Sequence, residues 1–173
     1  MVELDDEFSA FRNENIVSNE QRVVYFINSF IAALVPVYLY HAIFSMSFDS
    51  YMIVYGSVTL FAAIVLTFAY NNVYRVKRLK LSATREHMLI PKTKQTNGLD
   101  RKKVLAAKRE SQAVVTSHEA TALSIMYNNA VFLVSMLAFS FIIFKNVPLV
   151  YNYIVSVSLA AGFTTFLSTS SKH

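Results

Sequence analysis

NNVYRVKRLKLSATREHMLIPKTKQTNGLDRKKVLAAKRESQAVVTSHE, residues 71–119, is the stretch whose reading decides the fold. Of the chain's 16 Lys and Arg, 12 fall in it, against four acids, Glu86, Asp100, Glu110 and Glu119; twelve minus four makes the segment +8. On either side lie pairs of uncharged apolar runs. A basic polar insert between paired apolar runs predicts two membrane hairpins with a charged segment held between them.

Residues 23–44 contain no charge, and about 20 residues of α-helix cross the roughly 30 Å hydrocarbon core. Residues 51–70 form a second uncharged run, after a hairpin of 45–50 whose one charge is Asp49. Residues 123–144 and 149–168 form spans three and four, joined by 145–148, with Pro148 suited to the turn before a helix. Pro36 predicts a kink in span one. Tyr38, Tyr40, Tyr51 and Tyr70 sit where interfacial aromatic anchors belong. The fold class is therefore an all-α integral membrane four-helix bundle with a basic helical hairpin between spans two and three, divided as 1–22, 23–70, 71–122, 123–168 and 169–173.

Composition agrees: 173 residues, 54% hydrophobic and 16% charged, with a positive mean hydropathy. The absence of cysteine excludes disulfides, thiolate metal sites and Cys nucleophiles. The N-terminus opens on Glu3, Asp5, Asp6 and Glu7 rather than on the basic-then-apolar layout of a cleavable signal, so targeting falls to the first span. Within 1–22, Leu4, Phe8 and Phe11 recur at i, i+4, i+7, the spacing of a short acidic amphipathic helix. That segment reads either as a solvated tail resting on the membrane surface or as a specific docking element.

Four spans put both termini and the basic segment on one side, and the positive-inside rule makes that side cytosolic. The other side receives only two short turns. Arg75, Lys77, Arg78 and Lys80 are explained as topogenic charges, whereas Arg101, Lys102 and Lys103 lie at or beyond the reach of that effect, about 15–20 residues from a span. At about 100° per residue, Arg101, Lys102, Lys108 and Arg109 share one helix face, and Val104, Ala107, Ser111, Val114 and Val115 the other. Asp100 is placed to cap this helix after Asn97 and Gly98. Continuing span two places Val76, Leu79, Ala83 and Ile90 on a stripe with Lys77, Arg78 and Arg85 turned away, until Pro91 ends the helix. The expectation is that the two arms, joined by 92–99, pack apolar stripe to apolar stripe, show basic faces outward and lift the tip about 30 Å from the membrane.

A cationic face of this kind fits anionic lipid headgroups, an acidic protein or RNA phosphates. The Val/Ala stripe lacks the large residues of interfacial insertion, and Tyr74 alone offers a stacking ring, so any RNA contact would be to phosphate and shape. No enzyme is expected, nor any metal or other cofactor: His41, His87, His118 and His173 are scattered, and no phosphate loop or nucleophile motif occurs. The alternatives are a small membrane protein with an anionic-lipid-binding loop or a solute-conducting bundle. Conduction is disfavoured because His41 is the one ionisable group of that kind within the spans. Asn128, Asn129, Ser156, Ser158 and Gly162 in spans three and four are candidates for docking partner helices.

The run Glu119-Ala120-Thr121, Ser124-Ile125, Tyr127-Asn128-Asn129, Phe132-Leu133, Ser140-Phe141, Lys145-Asn146, Pro148, Asn152-Tyr153-Ile154 and Leu167-Ser168-Thr169 resembles the gamma subunit of the translocon-associated protein (signal sequence receptor) complex. Pro36, Leu39-Tyr40, Phe68-Ala69-Tyr70 and Asn72-Val73 extend the resemblance into the first hairpin, while the tip 92–99 departs from it. It implies an endoplasmic reticulum membrane protein that joins other subunits of that complex, accompanies the protein-conducting channel, and touches the ribosome, through rRNA phosphates or a ribosomal protein, from its cytosolic side. On this chain the ribosome-facing residues implied are Arg101, Lys102, Lys108 and Arg109, with Arg78 and Arg85 as second candidates.

Overall fold

A computed structural model describes residues 19–86 and 98–170, and every element among them is helical. Helix α1 spans Asn19–Ala42, α2 Phe48–Glu86, α3 Gly98–Ala138, and α4 Leu149–Ser170. Helix α3 ends in a π-turn, Phe139–Ile143. Each of the four helices is long and apolar enough to cross a membrane. Spans two and three are parts of longer helices, so the basic segment grows directly out of the bundle.

Cross-contacts give an up-down-up-down order. Gln21, Tyr25 and Tyr40 of α1 meet Ser117, Thr121 and Ser140 of α3 in ascending register, whereas Ser29 meets Thr67 and Gln21 meets Tyr74 of α2 in opposite register. Thr59 and Val65 of α2 meet Tyr153 and Thr165 of α4, again in parallel. Helix α2 is the central member and packs on all three others, while α1 and α4 meet at few points.

Close approach is made by small residues. Ala32, Ala33, Ala62, Ala63, Ala69, Ala160 and Ala161 are buried at the crossings, which lets backbones meet where lipid offers no hydrophobic drive for association. The larger core residues form two aromatic layers. Tyr25, Tyr70 and Tyr74 cluster near the start of α1, with ring centroids 5.8 and 6.1 Å from Tyr25. Tyr40, Tyr55 and Tyr153 cluster at the opposite end, edge to face at 4.9 and 5.1 Å. These six tyrosines are core residues of the bundle: Tyr40 and Tyr70, expected as interfacial anchors, are fully buried, whereas Tyr38 and Tyr51 are exposed.

The turns are built by local chemistry. Met46 N–H reaches back to Tyr40 O at 3.1 Å across Ser45, whose φ of 54° places it in the left-handed region. Serine here occupies the left-handed position after the helix end that glycine usually takes. Tyr55 OH and His41 Nδ1 both donate to Met46 O, at 3.3 and 3.2 Å, and pin the turn. Helix α1 runs through the buried Pro36 as one element. In α2, Tyr51 departs from helical backbone angles, with φ −123° and ψ 20°. As expected, Pro148 immediately precedes a helix, its carbonyl accepting Asn152 N–H at 2.9 Å.

Candidate functional site

Beyond the apolar runs, α2 and α3 continue side by side as a polar stem. At its base, still within the apolar runs, Ser124 Oγ donates to Tyr70 O at 2.7 Å; just beyond them Tyr74 OH lies 3.0 Å from Ser117 Oγ, and Gln21 Nε2 of α1 donates to that same Ser117 Oγ at 2.8 Å. Farther along, Arg85 Nη1 donates to Thr116 Oγ1 at 2.8 Å and Nη2 to Glu119 Oε2 at 2.5 Å. The first turn of α1 therefore sits against the base of the stem, at the level of Tyr74 and Ser117.

The stem is not zipped as periodicity suggested. Leu79 and Ala83 on α2, and Ser111, Val114 and Val115 on α3, are exposed, while Gln112, Ala113, Thr116, Ser117 and Ala120 turn inward. The reason is register inherited from the bundle. Thr116, Ala120, Ser124, Asn128, Phe132, Met136 and Ser140 recur every four residues and are all buried. A continuous helix cannot rotate one part without the rest, so the inward line set by membrane packing persists into the stem although its residues there are polar. That four-residue line is present in the sequence and is the signal that finds Thr116; Ser117 stands one position off it. Helix α3 also begins at Gly98, so Asp100 lies within its first turn rather than at a cap, where a carboxylate still suits the positive end of the helix dipole.

The basic residues divide by surroundings. Lys108 and Arg109 are exposed. Arg78 is half-buried with its guanidinium carbon 6.0 Å from the Tyr74 ring centroid, a cation–π distance. Arg85 is half-buried and tied to Thr116 and Glu119. Arg101 and Lys102 lie on the helical backbone of α3, and their side chains fall outside those described. Ile90, Pro91 and most of the turn 92–99 lie outside the described residues; Gly98 and Leu99 are already helical.

Most of the residues proposed for docking point into the chain's own bundle. Asn128 is fully buried and donates to Ser124 O at 2.8 Å; Asn129 accepts Tyr70 OH; Ser156, fully buried, donates to Asn152 Oδ1 at 2.8 Å. Ser158 is half-buried, and Gly162 is exposed with nothing within 4 Å of where a Cβ would stand.

The model of the family described as translocon-associated protein, gamma subunit, matches residues 4–170. The chain belongs to this family. A gamma-subunit relative from Dictyostelium discoideum, named translocon-associated protein subunit gamma, is 74% identical over 168 residues, covering 97% of this chain and 98% of its own length. The likeness first seen in the membrane residues therefore runs through the basic segment and into the acidic tail. Gamma subunits of this family are accessory proteins rather than enzymes.

Proposed function

We propose that this chain is the multi-pass gamma subunit of a translocon-associated complex in the endoplasmic reticulum membrane, with both termini and the α2–α3 stem cytosolic. In this reading the stem links the ribosome to the protein-conducting channel during co-translational translocation. The membership in the gamma-subunit family supports the complex and the membrane. The observation that carries the ribosome contact is the continuity of α2 and α3 beyond their apolar runs, which gives Lys108 and Arg109 a rigid, exposed mount on the side where the charge rule puts the cytosol. Arg101 and Lys102 join them on the same helix.

A rigid row of cations serves phosphate recognition because each neutralised phosphate releases counterions, which makes affinity fall steeply with salt. Arg85 and Arg78 serve this less directly, since their guanidinium groups are engaged within the stem. Docking to the other subunits is assigned to the outward side of α4 at Ser158 and Gly162, while Asn128, Asn129 and Ser156 hold the bundle in the form that docks.

The test is co-sedimentation of the membrane-reconstituted chain with ribosomes over a salt series, comparing wild type with Arg101→Glu, Lys102→Glu, Lys108→Glu and Arg109→Glu combined. Wild type should bind with a steep negative salt slope and the variant should lose both affinity and slope. Equal binding by the two would return the charges to a purely topogenic role. Preference of the chain for anionic vesicles over ribosomes would support the lipid-binding alternative instead.

A further inference from the structure

Helix α3 leaves open an apolar face that the expected packing of the two arms would have covered. Val114 and Val115 are 54% and 50% exposed, and Lys108, Ser111 and His118 on the same side are exposed too. These valines stand eight and nine residues before the apolar run that starts at Leu123, about 12 Å along the helix, with the exposed His118 and Glu119 between. They are outside the hydrocarbon on that spacing, and none of the described helices covers them.

The segment that suits them is the chain's own N-terminus. Residues 1–18 hold five acids, Glu3, Asp5, Asp6, Glu7 and Glu14, against Arg12, and place Leu4, Phe8 and Phe11 at i, i+4, i+7. Lys108, Ser111 and Val115 lie at i, i+3, i+7, so one stripe of α3 carries a cation first and an apolar residue after it, as the tail carries Glu3, Asp5, Asp6 and Glu7 before Phe8 and Phe11. The point of departure is also fixed. Gln21 bonds Ser117 and Tyr74, so the tail leaves α1 beside α3, within one helical turn of Val114. Eighteen residues span about 27 Å even as a helix, against about 14 Å from Ser117 to Lys108. Tethering at that range supplies an effective concentration in the millimolar range, enough for a small mixed apolar and ionic contact.

We infer that residues 1–18 dock in cis on the outer face of α3, seating Leu4, Phe8 and Phe11 on Val114 and Val115 with Glu3, Asp5, Asp6 and Glu7 against Lys108 and Arg109. The tail then competes with external polyanions for the same cations. This consequence rests on the phosphate-binding reading above; the docking does not.

The chain contains no cysteine, so an introduced pair reports alone. The experiment uses the full chain in phosphatidylcholine nanodiscs, one molecule per disc, carrying Phe8→Cys with Val115→Cys, or Phe8→Cys with Leu79→Cys as a control on exposed α2 surface. Mild oxidation should form the 8–115 disulfide well above the 8–79 control. High salt, or combined Glu3→Gln, Asp5→Asn, Asp6→Asn and Glu7→Gln, should abolish the preference. Equal cross-linking to both positions, cross-links only between discs, or a preference indifferent to those changes would overturn the docking. An environment-sensitive fluorophore on Val115→Cys should red-shift when residues 1–18 are deleted; an unchanged, blue-shifted emission would show that lipid covers the face and would equally overturn it. Ribosome sedimentation of the tail-deleted chain is read separately. Stronger binding supports competition, and unchanged binding removes the competition while leaving the disulfide result to decide the docking.

Discussion

Tyr40 gives its hydroxyl proton to Asn152 Oδ1 at 2.7 Å, tying the end of α1 to the first turn of α4 in a fully enclosed site. Since that proton is committed, Ser140 Oγ, 2.7 Å from the same hydroxyl, is the donor to it. Asn152 Oδ1 also accepts Ser156 Oγ at 2.8 Å, and Nδ2 donates to Ser140 O at 3.2 Å and Phe144 O at 2.9 Å. All four hydrogen-bonding positions of one amide are filled. Two of its partners are main-chain carbonyls at the C-terminal end of α3, where acceptors lack helical donors.

Replacing Asn152 by Leu takes that donor from both carbonyls and leaves the Tyr40 hydroxyl with Ser140 Oγ alone in a dry interior. The expected cost is about 1–3 kcal/mol, read as a lower midpoint of thermal unfolding in detergent. Tyr40→Phe removes a single hydroxyl and should cost about 0.6 kcal/mol, the average for interhelical bonds in membranes. If the two variants unfold at the same temperature, Asn152 is not the hub the geometry describes.

Ser45 tests the first turn. Its left-handed backbone strains any residue with a Cβ, by roughly 1 kcal/mol. Ser45→Gly should therefore raise the unfolding midpoint, and Ser45→Val should lower it, with the Met46 contacts unchanged in both. A Gly variant less stable than wild type would mean that the serine side chain contributes more than its backbone costs.

Arg85 and Lys108 separate stem integrity from anion binding. Arg85 bridges to Glu119, which is 45% exposed, so a double-mutant cycle between Arg85→Ala and Glu119→Ala should give a coupling of only about 0.2–1 kcal/mol, fading with salt. Arg85→Ala also frees Thr116, so its own effect on stability should exceed that of Glu119→Ala. Lys108→Ala should leave stability alone and flatten the salt dependence of ribosome sedimentation by about one unit of slope. Opposite behaviour of the two residues would exchange their assignments.

The four spans were legible because bilayer thickness imposes a length that uncharged runs either meet or miss, and 23–44 and 149–168 meet it without help from tertiary structure. Rotation about each helix axis was not legible. A helical wheel drawn on 101–115 puts valine inward, by the logic of a helix in water, but α3 takes its rotation from Ser124, Asn128 and Phe132 in the bundle, and so turns Thr116 in and Val115 out. The same limit applies to the docking candidates. Small and polar residues in membrane helices mark close contacts without saying whose, and most of those named serve the chain's own neighbours.

That distinction yields the last prediction. Asn129→Leu would deprive Tyr70 of its acceptor within the chain, so weaker recovery of partner subunits from that variant would follow from an unsettled bundle as readily as from a lost interface. Gly162→Leu is the cleaner change. Its Cβ meets nothing within 4 Å and the position faces outward, and leucine has the better helix propensity, so the isolated chain should unfold at an equal or higher temperature. A partner helix seated at close range on α4 would meet a new side chain of leucine size, and association driven by backbone proximity is sensitive to such bulk. Co-purification of partner subunits in mild detergent should fall for Gly162→Leu while thermal stability holds. Full recovery with unchanged stability would remove this face of α4 from the assembly and direct the search to the exposed side of α1, where Phe30, Ile31 and Leu34 are equally open.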